Sequence, residues 1–180
     1  GSLIKNYKKI KNNVSKTCTV AATVKANAYG LGIIPVAKIL ITNKCKIFFV
    51  ATLTEGLELR QVNKKITIYV LNGLNSQNIN LFYKHNLIPS INNLNQLKKA
   101  ETFSLNKGKF LKIALHFDTG MSRLGLDKVE TQILLKRKES LIKNTEVTLV
   151  MSHLACADNS NNLKNKKQLN QFKTISRHFP

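Results

Sequence analysis

The chain has 180 residues, of which 43% are hydrophobic and 21% charged, as in a globular domain that buries a core. Its charge is unusual, because 29 Lys and Arg against 9 Asp and Glu give a net charge of +20. The chain is too apolar for a disordered basic tail, and no apolar run reaches the roughly 18 residues of a membrane-spanning helix. Three scattered cysteines exclude a disulfide framework. We therefore expect a reducing, cytoplasmic setting and no membrane partner.

The positive charge does not predict a nucleic-acid partner. The basic residues form short runs along the whole length, and only four of them are Arg. Base readout and bidentate phosphate contacts favour Arg, ideally with interleaved aromatic residues. We therefore expect a solvated lysine-rich surface and no nucleic-acid binding.

Strand-like and helix-like patterns alternate from one end of the chain to the other. Apolar residues at helical spacing open the chain at Ile4, Tyr7, Ile10 and Val14. The sequence then predicts six strands, at residues 18–24, 47–51, 66–71, 87–91, 110–117 and 147–151. Several of these runs are apolar nearly throughout, which is typical of strands covered on both faces.

Amphipathic helical segments lie between the predicted strands. Thr52 and Glu55 have the spacing of a capping box, and Asp127 is placed to cap a later helix. The predicted apolar stripes of three helices are Leu94, Leu97 and Ala100; Leu126, Val129 and Ile133; and Leu163, Leu169, Phe172 and Ile175.

The spacing of the strands predicts a parallel α/β fold. Strand starts lie about 20 to 35 residues apart, the size of a βα unit, and no linker interrupts the six units. A doubly wound sheet and a (β/α)8 barrel both remain open on this pattern, although no G-x-G-x-x-G follows the first strand. In a barrel, the chemistry lies where the strands end. That rule places five polar side chains near one rim: Lys25, Asn72, Asn92, Asp118 and His153.

Lys25 and Tyr29, which follow the first predicted strand, could act on a ligand. Lys25 ends the strand among small residues, where a confined amine can attack a carbonyl group. Tyr29 follows in a Gly-flanked turn, where its phenol could reach an anion. The alternative is an ordinary surface lysine at the end of a strand.

The loops after the fifth and sixth strands hold the other candidates. Arg123 lies between two glycine-containing turns and offers a rigid, permanently charged donor, or else pairs with Asp118 or Asp127 to hold a loop. His153, Cys156 and Asp158 form a weak pattern for a metal site, and a Cys156 thiol activated by His153 is similarly weak. An imidazole packed on a flat ring, or a structural histidine, is the better interpretation.

Three motifs resemble the signature blocks of bacterial alanine racemases, a pyridoxal-phosphate-dependent fold-type III family. Residues 24–32 read VKANAYGLG, residues 118–125 read DTGMSRLG and residues 152–158 read SHLACAD. They occur in the family's order and at roughly its spacing, and residues 49–60 are similar to the family's second strand and helix. The resemblance covers essentially the whole chain.

The resemblance implies a fold, a cofactor and a set of roles. The fold would be an incomplete (β/α)8 TIM-type barrel of about six βα units. Lys25 would hold pyridoxal 5′-phosphate and act as one catalytic base, and Tyr29 would bind the cofactor phosphate. Arg123 would lie beside the cofactor's phenolic oxygen and the substrate carboxylate, and His153 near the pyridine ring. The full-length enzyme would be a homodimer that interconverts L- and D-alanine for peptidoglycan precursors.

Two departures from the family pattern qualify these expectations. The family commonly has a Lys, often carbamylated, where this chain has His116, so another group must orient Arg123. The family barrel also has two further βα units and a β-rich C-terminal domain, which carries the opposing Tyr base, and residues 1–180 hold none of these. We therefore expect little or no activity from this chain alone. A single-domain pyridoxal-phosphate homeostasis protein and a non-enzymatic gene remnant are the alternatives.

Overall fold

A computed structural model describes residues 1–179, and it contains six parallel strands alternating with helices. The strands are β1 (Ala22–Thr23), β2 (Ile47–Val50), β3 (Thr67–Val70), β4 (Ile88–Ile91), β5 (Leu111–His116) and β6 (Thr145–Met151). The helical segments are α1 (Ser2–Asn12), α2 (Lys25–Tyr29), α3 (Ile33–Thr42), α4 (Leu53–Val62), α5 (Ile79–Lys84), α6 (Leu94–Lys107), α7 (Lys128–Lys136), α8 (Lys138–Leu141) and α9 (Leu163–Ser176). All six predicted strands are present, which confirms the α/β class. Among the described helices, none combines the length and the apolar character needed to cross a membrane.

The first of two compact units contains β1, β2 and β3 and comprises Gly1–Leu71 and Leu81–Ile88. Its strands pair in parallel and in chain order. β1 has only two residues, whereas the sequence predicts a strand over 18–24. The unit's core is formed by fully buried apolar side chains, among them Phe48, Leu59 and Ile68.

A buried arginine holds the side of this first unit where β3 begins. The Arg60 guanidinium is 8% exposed and donates hydrogen bonds to five backbone carbonyls, those of Asn63, Lys64, Ile66, His85 and Asn86. Burial lowers the pKa of Arg60. Since its donors meet backbone carbonyls of its own unit, we assign Arg60 a structural role.

The second unit comprises Asn72–Asn80 and the chain from Pro89 onwards, and it contains β5, β6 and all of β4 except Ile88; these strands pair in parallel. Every residue of β4 is buried, and so is all of β5 except Lys112, as predicted for strands covered on both faces. β6 is mostly half-buried, and its pairing with β5 shifts by one residue after Ile113.

The helix caps lie where the sequence predicts them, whereas two of the predicted apolar stripes contain exposed residues. Thr52 and Glu55 form the predicted capping box, and Asp127 accepts a hydrogen bond from the Glu130 N–H at the start of α7. In α7, however, Val129 is 63% exposed, and the buried residues are Thr131 and Leu134. In α9, the predicted Ile175 is buried and Phe172 is half-buried, but Leu163 and Leu169 are exposed, and the other buried residue is Gln168. Both predicted stripes are thus buried only in part.

Candidate functional site

Lys25 lies two residues after the end of β1, at the first residue of α2. The preceding residue, Val24, is buried, and its N–H donates to the carbonyl of Phe49 on β2 at 2.9 Å. That hydrogen bond fixes the point at which the chain leaves the sheet. The Lys25 side chain itself is half-buried.

The four residues after Lys25 form a left-handed helical turn. Ala26, Asn27, Ala28 and Tyr29 have φ between 51° and 56°. This conformation costs about 1–2 kcal/mol for each residue with a Cβ, so the surrounding structure must stabilise the turn. Asn27 closes it with two acceptors, because its carbonyl takes the N–H of Gly32 at 2.9 Å and its Oδ1 takes the N–H of Ile33 at 2.8 Å. The turn leaves the Tyr29 ring 64% exposed.

The carboxylate of Glu55 connects this turn to the start of α4. Its Oε1 accepts the N–H of Ala26 at 2.7 Å. Its Oε2 accepts the N–H groups of Ala51 and Thr52 at 2.7 and 3.0 Å. Hydrogen bonds to a charged acceptor are about twice as strong as neutral ones. A residue predicted only as a helix cap thus also holds the backbone beside Lys25.

Arg123 lies in a loop that is closed at its base by two backbone hydrogen bonds. The Leu126 N–H donates to the carbonyl of His116 at 2.7 Å, and the Asp118 N–H donates to the carbonyl of Leu126 at 2.9 Å. The chains approach so closely that a Cβ on Gly125 (φ 114°) would lie 2.7 Å from the Asp118 nitrogen. Only glycine fits there. The Arg123 side chain is exposed at the end of this loop.

Asp118 organises the same loop through its backbone rather than through Arg123. Its Oδ1 accepts the N–H groups of Gly120, Met121 and Ser122 at 2.8 to 3.0 Å. Burial alone would raise the pKa of Asp118, but these three donors together outweigh it and hold the pKa below its usual value. Among residues 1–179, the ion pairs are Lys112–Glu146 and Lys138–Glu139. The predicted alternative of an Arg123 ion pair with Asp118 or Asp127 is therefore wrong.

Two histidines and an asparagine form a hydrogen-bonded chain in the second unit. His116, at the end of β5, is 3% exposed, and its Nδ1 lies 2.8 Å from the Asn92 Oδ1. Its Nε2 lies 3.1 Å from the Nδ1 of His153. The ring centroids of the two histidines are 5.0 Å apart. The structure thus brings His153 against the residue that departs from the family pattern.

Gln168 on α9 links the loops that carry Arg123 and His153. Its side chain is 1% exposed, and its Oε1 accepts the Ala155 N–H at 2.9 Å. Its Nε2 donates to the His153 carbonyl at 2.9 Å and to the Thr119 Oγ1 at 3.3 Å. Thr119 also shares a 2.8 Å hydrogen bond with the Ser152 hydroxyl. A buried amide therefore holds both loops to the same helix.

The predicted site residues divide between the two units. Lys25 and Tyr29 share one strained turn in the first unit, and His153 and the Arg123 loop share the Gln168 amide in the second. Glu55 was not predicted as a support of the turn, and Gln168 was not predicted at all. Within the described part of the chain, no group of three or more His, Cys, Asp or Glu could hold a metal ion.

Comparison with known proteins identifies the family. The family described as "Alanine racemase, N-terminal domain" matches residues 1–180. The chain belongs to this family. The alanine racemase of Rickettsia prowazekii (strain Madrid E) is 43% identical over 99% of this chain and 44% of its own length. That of Rickettsia rickettsii (strain Sheila Smith) is 41% identical over 99% of this chain and 50% of its own. This alanine racemase N-terminal domain thus spans about half the length of the curated relatives it matches.

Solved structures support the same assignment. Alanine racemase from Bartonella henselae, with covalently bound pyridoxal phosphate, is 34% identical and superposes with a TM-score of 0.94. That match covers 99% of this chain and 52% of the other. The alanine racemase of Bacillus anthracis with bound L-Ala-P is 28% identical, with a TM-score of 0.85 over 98% of this chain and 46% of the other. The predicted fold is confirmed: the six strands belong to an incomplete TIM-type barrel of the alanine racemase N-terminal domain.

Proposed function

We propose that this chain supplies the pyridoxal-phosphate-binding part of an enzyme that interconverts L- and D-alanine. The observation that carries the proposal is the position of Lys25. It follows a parallel strand and starts a strained turn whose first N–H is held by the Glu55 carboxylate. A backbone conformation this costly is typical of functional sites. The structural relative with covalently bound pyridoxal phosphate supports the choice of cofactor.

The chemistry of the candidate residues fits this cofactor. An amine suits its aldehyde, and Lys25 supplies one at the end of a strand. A phenol and a guanidinium suit its anionic groups, and Tyr29 and Arg123 are both exposed on tightly defined turns. A flat imidazole suits the face of an aromatic ring, and His153 is half-buried with its ring held by His116.

In the proposed reaction, each residue has a defined task. The cofactor supplies the electron sink that makes the Cα proton of alanine acidic. Lys25 would hold the cofactor, and its Nζ would accept or return that Cα proton on one face. Tyr29 donates to the phosphate. Arg123 would use its fixed planar donors to orient the phenolic oxygen and the substrate carboxylate.

The racemisation itself is proposed for a longer protein. Inverting Cα needs a base on each face, and the residues carried over from the resemblance supply one, Lys25. We therefore propose that residues 1–180 bind the cofactor but do not convert L-alanine to D-alanine at an enzymatic rate. The homodimer, the cytoplasmic setting and the supply of D-alanine to peptidoglycan precursors are proposed from the family resemblance alone. Incubating the purified chain with cofactor and L-alanine and assaying D-alanine tests this; normal turnover would contradict it.

Cofactor binding is tested by visible absorbance. The chain mixed with pyridoxal phosphate should develop the absorption band of a lysine-bound cofactor, and Lys25→Ala should abolish it. Lys38→Ala, which removes an exposed lysine from α3, is the matched control and should leave the band unchanged. A band that survives Lys25→Ala, or that Lys38→Ala removes equally, would overturn the assignment.

A further inference from the structure

The end of β5 differs from the family pattern, and the two polar side chains that His116 contacts lie in the second unit. His116 stands where the resemblance leads one to expect a lysine. Its ring is almost completely buried and contacts two polar side chains, Asn92 at Nδ1 and His153 at Nε2. An imidazole bonded at both nitrogens has its protons determined by its partners.

The hydrogen bonds determine those protons one after another. The Asn92 Nδ2 donates to the carbonyl of Ser90 at 3.1 Å, so the Asn92 Oδ1 is the atom that faces His116. An amide oxygen only accepts, and the Nδ1 of His116 must therefore carry a proton. In a neutral imidazole the Nε2 then accepts, so it receives the proton carried by the Nδ1 of His153.

We propose that His116 is a positioning residue which, as a neutral imidazole anchored by Asn92, fixes the ring orientation and the tautomer of His153. With a proton on its Nδ1, the neutral His153 ring can accept a further proton only at its Nε2. The geometry comes from the second unit alone. Its bearing on catalysis rests on the proposed function, because His153 is there the residue beside the cofactor ring.

Burial and three neighbouring charged or titratable groups shift the pKa of His116. Burial is the largest influence, and together with the nearby His153 and Arg123 it lowers the pKa of His116 to about 4. The carboxylate of Asp118 acts in the opposite direction and is outweighed. His116 is therefore neutral at physiological pH, as the accepting role of its Nε2 requires.

His116 is a neutral group at the position where the family commonly has a charged, carbamylated lysine. A carbamylated lysine would place an anion beside Arg123, whereas His116 brings no charge and directs its second nitrogen to His153. The positive charge of Arg123 is then left for an anionic group of the ligand. In this chain, the end of β5 orients the histidine rather than the arginine.

Nitrogen NMR of the histidine rings tests the proposal directly. At about pH 8, where ordinary imidazoles are neutral, the 15N-labelled chain should show His116 and His153 both as the Nδ1–H tautomer. The spectrum is recorded without cofactor, so failure of the proposed cofactor role cannot change the outcome. Either ring found predominantly as Nε2–H would overturn the proposal.

Two substitutions separate positioning from simple packing. In His116→Gln, the amide can still donate to Asn92 and accept from His153, so the His153 signal should keep its Nδ1–H pattern. In His116→Phe, a ring of similar shape offers neither bond, and the Nδ1–H population of His153 should fall several-fold. His178→Phe, which replaces an exposed histidine, is the control and should change nothing at His153. Equal His153 spectra in the Gln and Phe variants would contradict the positioning role.

Discussion

The segments that carry Lys25 and His153 are stabilised by opposite means. The turn after Lys25 has four consecutive left-handed residues and is held by the carboxylate of Glu55 on its backbone N–H. The segment at His153 is held by neutral partners, the imidazole of His116 and the amide of Gln168. A strained backbone needs the stronger, charge-assisted hydrogen bond. A ring that must keep one tautomer needs neutral neighbours shielded from water. The two segments should therefore fail under different perturbations.

Removal of the Glu55 charge should have the largest effect and should affect the first segment. Glu55→Gln retains one acceptor oxygen and places an NH2 group against a backbone N–H that the carboxylate accepted. We expect a loss of about 3 kcal/mol in unfolding free energy and a weaker affinity for pyridoxal phosphate. Glu58→Gln, on the same helix, is the matched control and should change stability by about a few tenths of a kcal/mol. Equal denaturation midpoints for the two variants would show that the carboxylate does not hold the turn.

Acid should weaken the second segment through His116. Its pKa is about 4 in the folded chain against 6.5 for an unperturbed histidine, so between these values the unfolded chain binds the proton and the folded chain does not. The stabilisation is complete above pH 6.5 and is lost as the pH falls through 4. At about pH 4.5 the loss should be roughly 2 to 3 kcal/mol. Denaturant titrations of wild type and His116→Gln at about pH 4.5 and about pH 8 measure it, since the variant lacks this contribution.

A pH dependence that is the same in His116→Gln and in wild type would show that His116 does not cause it. Asp118 also contributes stability that is lost in acid, because its pKa in the folded chain is held low. That loss occurs below about pH 3.8, the ordinary pKa of an Asp side chain. The comparison at about pH 4.5 therefore isolates the histidine.

Replacement of Gln168 should loosen the second segment without disturbing the first. Gln168→Leu keeps most of the volume but leaves the Ala155 N–H and the His153 carbonyl without their partner. We expect a loss of about 2 kcal/mol and faster hydrogen exchange at Ala155, with exchange around Ala26 unchanged. Gln171→Leu, a half-buried residue of the same helix, is the control. Faster exchange at Ala26 in Gln168→Leu would show that the two segments are not independent.

Relief of the backbone strain gives the smallest effect and the opposite sign. Ala26 has φ 51° and an exposed side chain, so Ala26→Gly removes a Cβ from a left-handed residue. We expect a gain of up to about 1 kcal/mol, because glycine adopts this conformation without strain. Lys38→Gly in the right-handed helix α3 should cost about 1 kcal/mol. A destabilised Ala26→Gly variant would mean that the turn is not strained.

The strands and the helix caps were predictable because they depend on local patterns. Continuous apolar runs indicated all six strands, and the Thr52–Glu55 spacing indicated a capping box that is present. The helix α3 was not predicted. The left-handed turn was not predicted either, because only Asn27 among its four residues is of a type enriched at positive φ. That conformation is fixed by Glu55, 29 residues away along the chain.

The residues that support the site were also not predicted, because they act through contacts that are distant along the chain. Gln168 lies in a largely polar helix, and its spacing from Phe172 and Ile175 places it on their face. The position of a glutamine on the apolar stripe of α9 was the signal that could have predicted its burial. The barrel rule placed His153 among the strand ends, but its bond to His116, 37 residues away, depends on the pairing of β5 with β6, which no local pattern specifies.

The central claim is that Lys25 carries the cofactor, and reductive trapping tests it most directly. The chain is incubated with pyridoxal phosphate, reduced with borohydride and digested, and the modified peptide is sequenced by mass spectrometry. We predict one modification, on Lys25, at stoichiometric cofactor. Label spread over the surface lysines, or concentrated on a lysine other than Lys25, would contradict it.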